Sequence, residues 1–209
     1  PEPKSVAIVH CVGSRDRLYH KYCSRVCCMY SLKFAHLVKE KLPCAEVYEY
    51  YIDIRASGKG YEEFYERIRA EGVSVTRGRT AKVEEVGGKL VVRSEDILRN
   101  RLVEQPVDLV VLAAGLTPRD ETEDLARLLG ISRTADGWFA EEHPKLAPFR
   151  TVRPGVYLAG VCQGPKDIPD VVASASAAAA SVLQEIIKGR TVPSGGERPG
   201  FPVPTARKA

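Results

Sequence analysis

Missing from this 209-residue sequence is any uninterrupted apolar run approaching the roughly 20 residues that a bilayer-spanning helix needs. A membrane role would therefore have to pass through a partner, and direct insertion is not expected. No signal peptide is visible at the start, so a cytoplasmic location is the expectation. Charge of one sign is lacking too: 31 Lys and Arg face 27 Asp and Glu, spread along the chain for a net charge of +4. Without a basic stripe carrying interleaved aromatics, nucleic-acid binding is not expected. No G-x-G-x-x-G occurs anywhere, which removes the usual glycine turn that receives the pyrophosphate of a dinucleotide. C-x-x-C is absent as well, and with it the common dithiol redox pair and the paired ligand spacing of many zinc sites. The chain has no internal repeat, and it opens at Pro1 rather than Met, so its start reads as cut from a longer polypeptide.

What is present is a crowd of cysteines. Of six, Cys11, Cys23, Cys27 and Cys28 fall in the first 28 residues, while Cys44 and Cys162 stand apart. Crowding of this kind without secretory signals favours metal or redox chemistry over a disulfide framework. The surrounding pattern decides how they can meet. Residues 6–12 (VAIVHCV) read as a buried strand and residues 24–42 as a helix with Val26, Tyr30, Phe34, Leu37 and Val38 at helical spacing. A helix beginning near Ser24 puts Cys23 and Cys27 on one face, and Cys11, at the carboxyl end of the strand, is delivered toward the same helix start. Four thiolates can then converge, which suits a [4Fe–4S] cluster, with the helix N-terminus offsetting negative charge. A structural zinc ion and plain burial as small hydrophobes remain alternatives. Cys44 lies outside this spacing and reads as structural.

Further along, residues 45–54 predict a second strand, Tyr61–Ala70 an amphipathic helix and residues 73–75 a third strand. KVEEVGGKLVVR, centred on Gly87-Gly88, predicts a hairpin. A core strand over 109–113, a short helix over 121–129, a last strand over 156–159 and a long alanine-rich helix over 168–188 follow. Beyond Gly189 the chain is rich in proline and glycine and reads as a linker. The expected architecture is α/β: a Rossmann-like, mainly parallel sheet domain over 1–107 that carries the cysteines, a smaller unit over 108–189 and a tail over 190–209.

CVGSRD at Cys11–Asp16, YCSRVCCMYSLK at Tyr22–Lys33 and GVYLAGVCQGPKDIPDVVASASAAAA at Gly155–Ala180 resemble the thioredoxin-reductase-like region of the heterodisulfide reductase A subunit, over roughly residues 5–188. The resemblance implies that Cys11, Cys23, Cys27 and Cys28 ligate a [4Fe–4S] cluster beside a flavin. It makes residues 108–189 the C-terminal part of an FAD-binding domain, with Gly115, Gly160, Val161, Cys162, Lys166, Asp167 and Ile168 near FAD. Lys33 resembles a family lysine placed near flavin N5, where a cation tunes redox steps; a solvated helix lysine is the plain alternative, as it is for Lys166, and Gly115 can equally be a mere turn. Val161 stands where the wider reductase pattern has an aspartate, which puts a ribityl contact in doubt. Where related reductases carry the nicotinamide turn, this chain has C-V-G-S-R-D, so nicotinamide binding is not expected and Asp53 reads as a solvated strand-end carboxylate.

The implied function is electron transfer between FAD and the cluster in a heterodisulfide-reductase-like complex, which can take the form of flavin-based electron bifurcation. Implied partners are sister subunits, ferredoxin and a hydrogenase or formate dehydrogenase module, with a homodimer in the full protein. With no dinucleotide turn for the adenosine half of FAD, that half is expected upstream in the natural polypeptide or on another subunit. The rival readings are a non-catalytic four-cysteine metal scaffold with a vestigial flavin site, and an NAD(P)H-dependent disulfide reductase using Cys162.

Overall fold

A computed structural model describes residues 2–187; the expected linker over 190–209 lies outside the described residues. Strand β1 (Ser5–Val12) leads into helix α1 (Cys27–Lys41), then β2 (Glu46–Tyr51), α2 (Tyr61–Ala70) and β3 (Ser74–Arg77). Strands β4 (Thr80–Val86), β5 (Lys89–Asp96) and β6 (Arg101–Val107) follow, then β7 (Leu109–Ala114), α3 (Thr122–Leu129), a 3₁₀ turn (Gly160–Gln163) and α4 (Ile168–Ile187). Four strands make a parallel sheet in the order β3-β2-β1-β7, and the other three make an antiparallel sheet in the order β4-β5-β6.

The run of β1 is apolar at consecutive positions because both its faces are covered. Val6 and Ile8 pack with Leu32 and Ala35 of α1, Val47 of β2 and Ile68 of α2. Their neighbours Ala7 and Val9 point the other way, onto Tyr50, Val92 of β5 and Val107 of β6. Each fully buried valine or isoleucine contributes about 1.5–3 kcal/mol, so β1 anchors both layers and holds its carboxyl end in one place. Gly78 joins the layers: a Cβ there would lie 1.7 Å from the Glu95 carbonyl oxygen, so only glycine lets β3 turn into β4 against β5. A third cluster, Ala126, Ile131, Phe139 and Leu158, closes the C-terminal part.

Several expectations change. Helix α1 begins at Cys27 rather than near Ser24, because Arg25 takes a left-handed φ of 61° that a helix cannot continue. Cys23 therefore lies in the irregular segment before the helix and does not share a helix face with Cys27. Strand β6 carries no clear signal in RLVEQPV; it is the edge of its sheet, where Pro106 is tolerated and charges face out. Residues 156–159 form no strand, only a bridge between Arg150 and Tyr157, and the segment's place is set instead by burial of Leu158. The boundary expected after residue 107 falls between β6 and β7, yet β7 pairs with β1, so the parallel sheet runs across it. Among the described residues one helix, α4, is long and apolar enough to cross a membrane by length and composition. Its apolar residues are interrupted by Asp170, Ser174, Ser176, Ser181, Gln184 and Glu185, so no uninterrupted run marks it in the sequence.

Candidate functional site

The chain adds β2 and β3 on one side of β1 and later returns to place β7 on the other. Such a reversal opens a crevice at the carboxyl ends of the strands, where ligands of open α/β sheets bind. At this crevice β1 is bulged: Val9 pairs with Leu112 and Val12 with Ala114, so two residues of β1 oppose one of β7. Cys11 sits in the bulge with a left-handed φ of 59°. A non-glycine residue in this conformation stores strain and is commonest at functional sites.

The loop beyond is pinned to the end of β7. Ser14 N–H donates to the Cys11 carbonyl at 3.1 Å, and Gly115 N–H to the Val12 carbonyl at 2.9 Å. The buried hydroxyls of Ser14 and Ser24 lie 2.7 Å apart, and Ser24 Oγ accepts Leu116 N–H at 2.8 Å. A Cβ on Gly115 would meet those two hydroxyls at 2.1 and 2.8 Å. Its absence lets the segments that carry Cys11 and Cys23 close on β7, which is a packing duty rather than a bare turn.

Each thiol arrives from a different piece of backbone. Cys23 Sγ accepts Arg25 N–H at 3.3 Å. Cys27 and Cys28 open α1, are buried, and aim at the carbonyls of Ala114 (3.9 Å) and Asp53 (3.6 Å). Val26 gives the helix no side-chain cap, so its first N–H groups and positive pole are left without a side-chain acceptor at the end that carries Cys27 and Cys28. Burial pushes up the pKa values of Cys11, Cys27 and Cys28, the last to about 11. A negative charge on Cys23 or Cys27 raises Cys11 further, and Cys28 responds to the other three, so all four lie within electrostatic reach of one another. Among the described residues, no three His, Cys, Asp or Glu side chains are grouped closely enough to hold a single metal ion.

Beside the thiols opens a cleft of about 1060 Å³ between α1, α2 and the start of α4. Cys23, Lys33, Lys166, Asp167 and Ile168 all line it, together with Met29, Tyr30 and Phe64. Arg25, Arg55, Lys59 and Arg67 add cations to the wall. Lys33 is exposed, whereas Lys166 is partly buried, its pKa lowered by that burial, and donates to the Gly160 carbonyl at 2.9 Å. Asp167 plays a structural part, since its carboxylate caps α4 by accepting Asp170 N–H at 2.9 Å. Gly160 has a φ of 72° and donates its N–H to Ser174 Oγ at 2.9 Å. Val161 and Cys162 lie in the 3₁₀ turn, with the Cys162 thiol on the Ala159 carbonyl at 3.2 Å. Gly160, Val161 and Cys162 do not line the cleft.

Some residues at the site had no sequence signal that singled them out. Tyr30 donates its hydroxyl to the Ala114 carbonyl at 2.9 Å, and burial raises its pKa. Arg25 pairs with Asp170 at 2.7 Å, tying the Cys23 segment to the first turn of α4. Asp53 is not a free solvated carboxylate: Arg15 and Arg77 bind it at 2.7 and 3.1 Å and hold its pKa below the usual range. The C-V-G-S-R-D string held the clue in Arg15, but an arginine's partner some 38 positions away is invisible to local pattern.

No family model matches the chain. Curated relatives do: it is 54% identical over 191 residues to the A subunit of the H(2):CoB-CoM heterodisulfide,ferredoxin reductase of Methanothermobacter marburgensis. It is 50% identical over 192 residues to the iron-sulfur A subunit of the CoB–CoM heterodisulfide reductase of Methanocaldococcus jannaschii. Both matches take in 90% of this chain but 29% of the relative. Among solved structures, thioredoxin reductases from T. acidophilum and Lactococcus lactis share the fold, with TM-scores of 0.58 and 0.56 at 17% and 16% identity. They match 88% and 89% of this chain and 53% and 54% of their own. The chain is thus a thioredoxin-reductase-like α/β structure homologous, over nine-tenths of its length, to one segment of the heterodisulfide reductase A subunit, a segment spanning 29% of those relatives.

Proposed function

We propose that this chain is the cluster-carrying segment of a cytoplasmic heterodisulfide-reductase-like flavoprotein, with Cys11, Cys23, Cys27 and Cys28 as ligands of a [4Fe–4S] cluster. The observation that carries the reading is the gathering of four thiols from a bulged strand end, an irregular segment and an uncapped helix start at one crevice. The donor set fits: soft thiolates suit iron, and free helix N–H groups offset their charge.

In the same reading the neighbouring cleft takes the flavin end of FAD, whose adenosine half is held elsewhere. Together the two groups supply one-electron exchange at iron and one- or two-electron exchange at the flavin. The chain's own residues do the rest. Burial of Cys27 and Cys28 keeps water from two ligands. Lys33 presents a cation to the cleft, and Lys166 holds the Gly160 loop. The names of the relatives mention hydrogen, formate and ferredoxin, which supports partners of those classes: sister reductase subunits, a ferredoxin, and a hydrogenase or formate dehydrogenase module. Splitting of an electron pair between ferredoxin and a disulfide, and a homodimeric whole protein, belong to the same proposal.

Anaerobic purification tests it. Brown protein with about four iron and four sulfide per chain is expected, and serine at any of the four cysteines should lower both. A colourless protein containing one zinc would overturn the reading in favour of a four-cysteine scaffold.

A further inference from the structure

The cluster reading leaves one bracket of charges beside the thiols unused. Asp53, just past β2, accepts Arg15 Nη2 at 2.7 Å on one carboxylate oxygen and Arg77 Nη2 at 3.1 Å on the other. Arg55 stands 4.0 Å from the first oxygen. Arg15 is held at its backbone too: its φ is 55°, its N–H donates to the Tyr22 carbonyl at 3.0 Å, and its own carbonyl accepts Arg79 Nη1 at 3.3 Å. With Nη2 committed to Asp53, Nη1 is buried and has no hydrogen-bond partner. A buried donor left unpaired is destabilising, and more so when charged, which points to a further acceptor for this atom. The guanidinium lies within electrostatic reach of the sulfurs of Cys11 and Cys23. Asp53 touches the site a second time, through its backbone carbonyl, which accepts the Cys28 thiol at 3.6 Å. One residue therefore links a ligand-bearing helix start to the arginine beside the other two ligands.

Resting on the cluster assignment above, we propose that Arg15, braced by Asp53 and Arg77, is a positioning residue whose free Nη1–H donates to the sulfur face of the cluster and raises its reduction potential. Adding one electron to the cluster makes its sulfur atoms more negative, so a fixed cation and donor stabilise the reduced form more than the oxidised one. Arginine stays protonated at every accessible pH, so this stabilisation does not vary between about pH 6 and 9.

The test is an EPR-monitored redox titration of the natural polypeptide that carries this chain, purified anaerobically with its cofactors. Dithionite supplies one electron per cluster and ferricyanide withdraws it. Arg15→Gln is expected to lower the equilibrium constant for cluster reduction about tenfold, or about 59 mV for one electron, with iron and sulfide content retained. Arg15→Lys keeps the charge but loses the fork and should shift less. Asp53→Asn removes a negative charge and leaves Arg15 cationic, so it serves as the control for fold and cluster content rather than for the direction of the shift. Unchanged midpoints in cluster-replete variants overturn the proposal. So does loss of the cluster from both Arg15→Gln and Asp53→Asn, which would make the bracket purely structural. A parent protein without an iron–sulfur signal sinks the cluster assignment itself, and that outcome is distinct because there is then nothing to titrate.

Discussion

At the scale of single residues, Cys11 shows how chemistry is placed against the preference of the backbone. Its φ of 59° belongs to glycine, and its position in the β1 bulge turns it out of the strand. A side chain in this conformation costs about 1–2 kcal/mol relative to glycine. Cys11→Gly is therefore expected to leave the cofactor-free chain about 1 kcal/mol more stable than Cys11→Ala in urea unfolding, while both variants lose iron. Equal stability of the two would mean that the bulge relaxes without strain. Gly115 is the complementary case, where a missing side chain, not a present one, lets Ser14 and Ser24 approach β7.

At the scale of elements, the amino end of β1 is fastened by a carboxylate between β6 and β7. Asp108 accepts the backbone N–H groups of Lys4 (2.8 Å) and Ser5 (3.1 Å), the Ser5 hydroxyl and the Lys89 ammonium. Lys89, foremost, together with these donors lowers its pKa from 3.8 to about 2. A depressed pKa means that the folded form binds the carboxylate's proton less readily than the unfolded form. Stability from this group is thus complete above about pH 4 and is lost as pH falls toward 2. Asp108→Asn should be less stable than the parent at about pH 7, with the gap closing between about pH 4 and 2 when thermal midpoints are compared. A gap that persists unchanged at about pH 2 would assign the effect to shape rather than charge.

Across the whole molecule, the cleft and the thiols are shared between parts that the chain supplies at distant times, α1 and α2 early and the start of α4 late. Much of α4 is left uncovered, with Val172, Leu183 and Ile186 each more than half exposed. Leu109 and Leu112 of edge strand β7 are exposed as well. Surfaces of this kind in a segment that matches 29% of its relatives fit a structure that packs against further protein. The 209 residues expressed alone are expected to retain less than about a tenth of a flavin per chain, because the sequence holds no G-x-G-x-x-G turn to receive the adenosine half. Flavin released by acid and measured by fluorescence checks this; stoichiometric flavin on the isolated chain would show that the cleft suffices.

The sequence by itself determined the strand–helix alternation, the hairpin at Gly87-Gly88 and the crowding of Cys11, Cys23, Cys27 and Cys28, since each is a local matter of periodicity, turn chemistry or spacing. It also contained the cleft residues Lys33, Lys166, Asp167 and Ile168, though as a resemblance, with no means of saying that they face one space. Only the tertiary structure decided that β7 returns beside β1 across the expected boundary, that α1 starts at Cys27, and that Asp53 is bound by Arg15 and Arg77. The first and last depend on which strands hydrogen-bond and which charges meet between positions dozens of residues apart, and the helix start on a left-handed φ at Arg25 that the residue type does not announce; neither leaves a periodic trace in the order of the amino acids.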